Sequence, residues 1–486
     1  MSEGQQQSPW TAGLVRGATI GLFAEALALP VGLISAAFLT RHLGLEGYGL
    51  LGVVLSAVVP VAWVAVSILA GRTAVRLVSG APMPMDMAGQ LIRLNFRIGA
   101  AGWVLFSALS PLLASWLGHP ELTGLLILAG AEIFLLPLAR AYRNALIGLG
   151  FYQHAGVSTA VFQLVRLGLI VILVGSGMSL EGAILALLSA RVAEILWCRR
   201  RCAFPLRVPI RLRFSELRGL STSVFLFALC IQVFNRIDIL LLTVFGGSNK
   251  ALGHFAAAQL LAMVPGLFAP SVMTPAIAAI TRARSAGDLV GAGNISLQLE
   301  RMAATMAGLT LALAGATPSL CRYLFGSDFA AAAPLAAWLL IGSAGVLLKS
   351  LAVTQLVVHY RHFLLPAIAL PMLGTAVLAH VLVIPSWQAL GAAIVTGTVG
   401  LLGGLAGVVI LPAPRCPRLI RLAKALAGGL LGFLTARLVG ADGLPLLDAV
   451  MGVTVALGMM WLTGVVRAED IRRLYANLVS PAAKSI

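Results

Sequence analysis

Charge is scarce in this chain. Only 10% of its 486 residues are charged, against about 25% in an ordinary soluble globular protein, too little to cover a surface facing water. Disorder is excluded by the same composition, because 59% of the residues are hydrophobic and offer ample apolar surface to bury. Lysine is nearly missing: Lys250, Lys349, Lys424 and Lys484 stand among 34 basic residues, and acids number only 17. Cysteine is sparse and scattered. Cys198 and Cys202 lie four apart beside Arg199, Arg200 and Arg201, with no second ligand pair of the kind zinc needs, so neither a metal site nor a disulfide framework is expected. No base precedes Arg16, and the apolar run from about Gly17 to Leu39 is longer than a secretory signal core of about 7–15 residues and contains Glu25. It reads as a retained first membrane helix. No P-loop or dinucleotide fingerprint occurs in a strand-turn-helix setting, so ATP is not the direct driver and no cofactor is expected. The histidines form no catalytic constellation, and no catalytic residue is expected.

What the chain has in abundance is hydrocarbon, with a mean hydropathy of +0.98. A membrane span needs about 20 mainly apolar residues. Reading between polar breaks gives fourteen spans, at roughly 17–39, 48–70, 95–117, 122–144, 157–176, 180–198, 220–245, 252–280, 302–321, 332–357, 363–384, 388–411, 419–439 and 444–466. The fold class is therefore all-α, a polytopic membrane protein. Pro265, Pro270 and Pro275 predict a bend in the eighth span. Basic residues test the count independently, since they concentrate in cytoplasmic connections. With the N-terminus in the cytoplasm, twenty-six of the 34 bases fall in cytoplasmic segments and three (Arg41, Lys250, Arg322) outside. The basic surplus is thus mostly topological and does not point to nucleic acid. Both termini are expected in the cytoplasm, with the chain in the inner (plasma) membrane.

The organisation is two-fold. The longest cytoplasmic connection, Trp197 to Gly219, follows span six and carries seven arginines from Arg199 to Arg218, which also suits contact with anionic membrane lipids. The turn after span one, FLTRHLGLEGYGLLGVVLSAV from Phe38, resembles the turn after span seven, LLTVFGGSNKALGHFAAAQLLAMV from Leu241. Both run from an apolar helix through a glycine turn into a small-residue helix. Six spans per block implies parallel repeats, with a substrate site between them. The expected division is an N-terminal lobe (1–198), a basic linker (199–219), a C-terminal lobe (220–411), two additional spans (412–466) and a cytoplasmic tail (467–486).

The residues of these turns carry a resemblance. Thr40-Arg41-His42-Leu43-Gly44-Leu45-Glu46-Gly47-Tyr48-Gly49 resembles the R-x-L-G-x-x-x-Y-G signature after the first helix of polysaccharide flippases. Asn235-Arg236-Ile237-Asp238-Ile239-Leu240-Leu241-Leu242, then Gly247 and Gly253-His254-Phe255-Ala256-Ala257-Ala258, resembles their seventh-helix pattern, with Phe255 where tyrosine is usual. RNALIGLGF, Arg143 to Phe151, is similar to the loop after their fourth helix. The chain thus resembles the polysaccharide flippases of the multidrug, oligosaccharidyl-lipid and polysaccharide exporter superfamily. That resemblance implies two six-helix lobes around a cavity, two further helices, and alternating access. The implied cargo is a polyprenyl-diphosphate-linked oligosaccharide carried to the outer leaflet for surface polysaccharide (O-antigen, lipopolysaccharide) assembly. The implied partners are this lipid-linked oligosaccharide, membrane lipids, a polysaccharide polymerase and glycosyltransferases.

Charges inside the spans carry the candidate site, since each costs about 2.5–3.5 kcal/mol at the bilayer centre and faces the bundle interior or a wet cavity. Glu25, Glu132, Arg166 and Lys349 all lie roughly 12–16 Å from the cytoplasmic end of their spans, at 1.5 Å per residue. Either Arg166 and Lys349 contact the diphosphate or anionic sugars, with the acids tuning them or carrying a coupling ion, or all four form interhelical ion pairs. Arg236 and Asp238, two residues apart, are about 200° apart around their helix. Asp238 shares a face with Asn235, and Arg236 is placed toward the cavity because its fork matches diphosphate oxygens. The competing role is to tie span seven to a neighbour. Arg72 stands one turn from Arg76 at the cytoplasmic end of span two, as a contact for incoming diphosphate or as an ordinary anchor. Arg191 and Glu194, also one turn apart, read as an internal pair.

Two other classes are weighed. A membrane glycosyltransferase or ligase places its chemistry on a sizeable external loop, whereas every external connection here is about a dozen residues or shorter. An ion-coupled multidrug/cation antiporter of the same fold needs an acid-dominated cavity, whereas the intramembrane bases here match the acids in number.

Overall fold

The computed structural model describes residues 27–68, 71–79, 81–202, 204–205, 222–285, 287–359, 361–411, 415–439 and 446–467. Fourteen α-helices and no strand are found among these. They are α1 (Ala28–Ile68), α2 (Gly71–Ser79), α3 (Pro84–Trp116), α4 (Thr123–Gly148), α5 (Tyr152–Gly175), α6 (Ser179–Arg201) and α7 (Thr222–Val244). The second seven are α8 (Asn249–Ser285), α9 (Leu289–Gly315), α10 (Thr317–Phe325), α11 (Ala333–Val358), α12 (Leu365–Ile410), α13 (Arg415–Val439) and α14 (Leu447–Leu462).

Among the described residues, eight segments are long and apolar enough to cross a membrane, and a ninth counts if α9 and α10, bent by 73° at their junction, are taken together. This is a multi-pass membrane protein. Its exposed surface agrees: Leu105, Leu112, Leu382, Leu402 and Leu462 all stand exposed, and hydrocarbon is the solvent that tolerates them. Two of the eight are helix pairs in one. At 46 residues, α12 would be about 70 Å long if straight, more than twice the bilayer core. It breaks at Gln388, where φ is +45°, at the start of expected span twelve. Likewise α1 breaks at Gly44, with φ +66°, in the middle of the glycine turn between spans one and two. Glycine reaches that left-handed conformation without a Cβ clash. The expected spans fall on a helix or on one half of a broken helix, except that span nine (302–321) is divided between α9 and α10, which meet at a 73° bend, and that residues 17–26, 69–70, 220–221 and 444–445 lie outside the described residues. The three-proline segment is helical throughout, within α8. Proline enters at the first turn of α3, α10, α11 and α12, where its missing N–H is not needed. The first turn of α9 is closed by Asp288, whose Oδ1 accepts from the Gly291 N–H at 2.7 Å.

Contacts divide the chain into two compact units, Met1–Ala256 and Ala257–Ile486. In the first, α3 lies along α4 and α5 along α6, while α4 bridges to α1 and α6, and α7 packs on α1. The chain leaving α6 folds back on this bundle: the Phe204 ring meets Tyr142 edge-on at 5.5 Å, and a Cβ on Gly89 would come within 2.3 Å of the Pro205 carbonyl oxygen. In the second unit, α11 lies along α12, α9 along α13, and α13 along α14. The abundant glycine is packing surface here. A Cβ on Gly345 would sit 2.1 Å from the Gly400 oxygen, and one on Gly429 would sit 2.3 Å from the Gly308 oxygen. Backbones therefore touch where any side chain would hold them apart.

Candidate functional site

One cluster of buried charges in the first unit is gathered around a single guanidinium. Arg191 and Glu194 are three residues apart on α6, on one face, and Arg191 Nη1 donates to Glu194 Oε2 at 2.9 Å. Arg191 Nε donates to Glu132 Oε1, on α4, at 2.8 Å. Glu132 is only 3% exposed and Glu194 is as deeply buried, so the one cation serves two carboxylates. Below it lies the ring of Phe162 on α5, with the Arg191 guanidinium carbon 3.7 Å from the ring centroid. Phe162 also receives Arg166, one turn along α5, at 5.4 Å.

Arg166 differs from Arg191. Among the described residues it makes no ion pair, and its Nε, buried, has no hydrogen-bond partner. Glu132 interacts first with Arg191 and less with Arg166. Two arginines and two acids are therefore unequally shared: Arg191 pairs directly with both acids, whereas Arg166 lies over an aromatic face with no carboxylate in ion-pair contact among the described residues.

In the second half of α7 the same unit sets Arg236 in the electrostatic field of two groups, Asp238 first and then Tyr48. Asp238 is buried, and its Oδ1 accepts from the Ile239 N–H at 2.8 Å. Asn235 is half-buried beside them on α7. Tyr48 comes from the second half of α1, immediately after the glycine break. That half also meets the first residues of α8: a Cβ on Gly49 would lie 2.5 Å from the Gly253 nitrogen, and one on Gly253 would lie 2.1 Å from the Leu45 oxygen. The two similar turns of the sequence thus touch backbone to backbone through the glycines they share. Phe255 is fully buried there, where a tyrosine hydroxyl would need a partner of its own.

In the second unit Lys349, on α11, is 4% exposed, with Nζ 3.5 Å from the Met372 sulfur on α12. His380, fully buried, faces the Thr396 hydroxyl at 3.3 Å. Glu25 lies outside the described residues. Arg72 is in the first turn of α2, but its side chain also lies outside them. Arg143, of the third flippase-like segment, donates to Thr159 at 2.8 Å. The turn that follows is closed by the N–H groups of Gly150, at φ +85°, and Phe151, bonding back to Ile147 and Leu146.

Sequence reasoning missed a second buried ion cluster. Glu300 stood outside the ninth apolar span and drew no attention. The structure starts α9 at Leu289, buries Glu300 inside it, and pairs its carboxylate with Arg418 Nε at 2.8 Å and Arg421 Nη2 at 3.2 Å on α13. The signal was an acid two residues before an apolar run, opposite a basic helix start more than a hundred residues later. Asp448 of α14 was also missed: it is buried and accepts from the Ser319 hydroxyl of α10 at 2.6–2.7 Å.

No family model matches this chain, and none of the curated proteins does. Solved structures do. An inward closed conformation of the lipid II flippase MurJ superposes with a TM-score of 0.72 at 13% identity, covering 92% of this chain and 98% of that one. An inward-facing MATE multidrug resistance transporter of the MOP superfamily gives 0.62 at 14% identity, over 84% of this chain and 99% of that one. A mutant MATE transporter of Vibrio cholerae gives 0.55 at 16% identity, over 82% and 95%. At these identities the likeness is one of fold. The chain has the all-α polytopic fold of the MOP exporters.

Proposed function

From that shared fold we propose that the chain is a lipid-linked oligosaccharide flippase. It moves a polyprenyl-diphosphate-linked oligosaccharide from the cytoplasmic to the outer leaflet of the inner membrane by alternating access, for surface polysaccharide assembly. The observation that carries this reading is the extent of the likeness: the flippase covers 92% of this chain, the multidrug transporter 84%. The cargo for which that flippase is named is a lipid, lipid II, and the sequence motifs around Gly44 and Asn235 point the same way.

In this reading the lobes are 1–198 and 220–411, and the termini are cytoplasmic. Arg166, Arg236, Lys349, Arg72 and Asn235 face substrate. Arg166 suits the part best, because a guanidinium with no carboxylate on it keeps its fork for paired phosphate oxygens. Glu25, Glu132 and Asp238 form the charge network or carry the coupling ion, and the contact of Glu132 with Arg191 supports the network role for that acid. Glycosyltransferases would supply the cargo and a polymerase would consume it, which leaves no bond-making step for this chain.

A multidrug antiporter is the second reading, favoured by the MATE structures of like fold. Deletion separates the two. Loss of a flippase traps lipid-linked oligosaccharide on the cytoplasmic face, measured by its inaccessibility to an external glycosidase in spheroplasts. Loss of an antiporter instead leaves that pool unchanged and raises sensitivity to cationic drugs. Oligosaccharide accumulating on the outer face would sink the flippase.

A further inference from the structure

The second unit contains a cavity of about 390 Å³ where the ends of five helices meet. Arg284 comes from the end of α8, Glu300 from α9, Gln355 and His359 from the end of α11, Leu411 from just beyond α12, and Arg418 and Arg421 from the start of α13. Lys349 does not line it, so the cavity is separate from the substrate residues of that unit. Its charge is unbalanced. Three guanidiniums share one carboxylate, and Glu300 divides its oxygens between Arg418 and Arg421. The third, Arg284, reaches only the Val358 carbonyl oxygen, at 3.4 Å.

The floor is built, not incidental. Arg418 is 7% exposed and Gln355 only 3%. The Gln355 amide nitrogen is buried with no hydrogen-bond acceptor, a state that costs about 1–3 kcal/mol unless an acceptor fills it. A buried amide donor beside a cationic excess asks for an anionic oxygen. The walls are apolar, from Ile280, Leu289, Leu297 and Leu411, and Leu289 stands 68% exposed at the mouth. All five helix ends belong to connections that the basic-residue pattern assigns to the cytoplasmic side, so the mouth opens where headgroups lie.

We propose that this cavity binds the phosphate group of an anionic amphiphile, seated on Arg284, Arg421 and the Gln355 amide with its apolar part along Leu289 and Leu297. Guanidinium forks match phosphate oxygens, and basic pockets between helices at the cytoplasmic face are where anionic headgroups are held. The site is independent of the transported cargo and stands whether that cargo is an oligosaccharide lipid or a drug.

Native mass spectrometry of the purified full-length protein tests it, with phosphatidylglycerol, phosphatidylcholine and inorganic phosphate as probes. Wild type is expected to retain phosphatidylglycerol in preference to phosphatidylcholine. Gln355→Met keeps the shape and removes the unsatisfied donor, and Arg284→Gln changes an exposed side chain that holds one long hydrogen bond. Each is expected to weaken phosphatidylglycerol binding about tenfold, the worth of a charge-assisted hydrogen bond. The lipid-free melting temperature of Gln355→Met should stay level or rise. Displacement of the lipid by millimolar inorganic phosphate would identify the phosphate alone as the ligand. Weak displacement would show that the acyl chains contribute. Equal retention of phosphatidylcholine, or phosphatidylglycerol binding undiminished in both variants, would overturn the proposal.

Discussion

Two arginines in the first unit illustrate how environment divides one residue type into two roles. Arg191 neutralises two buried carboxylates at 2.8 and 2.9 Å. Removing it leaves both charges without a counter-ion, an error that costs about 3–5 kcal/mol at a buried pair. Arg166 lies over the Phe162 ring, a contact worth about 0.5–2 kcal/mol, and has no ion-pair partner among the described residues. Arg191→Met should therefore lower the melting temperature in detergent much more than Arg166→Met. Arg166→Met should leave a folded protein that no longer exports. A melt in which the two variants fall together would show that Arg166 is structural as well. The apolar depth of each charge was legible in the sequence, and so was the Arg191–Glu194 pair, because three residues on a helix share a face. The partner of Glu132 was not. It depends on how α4 and α6 are rotated toward each other, and 59 residues of chain separate the two groups.

At the scale of elements, glycine decides how closely helices approach. Gly253 has the Leu45 oxygen 2.1 Å from where its Cβ would be, while Gly168, on α5 of the same unit, has nothing within 4 Å. Gly253→Ala must force backbones apart and should destabilise by about 1–3 kcal/mol. Gly168→Ala should stabilise by roughly 0.5–1 kcal/mol, through the helix preference of alanine over glycine. Thermal unfolding of the pair of variants, run side by side, gives opposite signs if the packing is as described. Sequence reading saw the two glycine turns as similar; it had no means to see that they touch. Similarity is a property of each segment alone, whereas contact needs both segments placed. The break at Gln388 is different: the polar Pro385-Ser386 interruption marked its place in the sequence, but not that a non-glycine residue would take φ +45° there.

For the molecule as a whole, the native cysteines provide a topology probe. Cys198, Cys202, Cys230 and Cys321 are buried, and Cys416 alone among the five is exposed. The basic-residue pattern puts Cys416 in the cytoplasm, between Arg415 and Arg418. A membrane-impermeant maleimide should leave intact spheroplasts unlabelled and label Cys416 in inverted vesicles. Labelling of intact cells would reverse the expected orientation of the helices. Size exclusion or crosslinking adds nothing to that test, because the reagent reads the side of the membrane directly.

Hydropathy and charge by themselves determined the solvent of this protein and its helical class, because the bilayer imposes a length of about 20 apolar residues on each crossing and that is a one-dimensional sum over neighbours in sequence. The tertiary structure decided everything that depends on direction. It set which acid Arg191 holds, which arginine keeps its charge, where glycines let backbones meet, and that Glu300, Gln355 and three arginines from four helices line one cavity. A residue's angle around its helix advances by about 100° at each step. Which partner it meets is settled only when another helix, distant in the chain, is packed against that face.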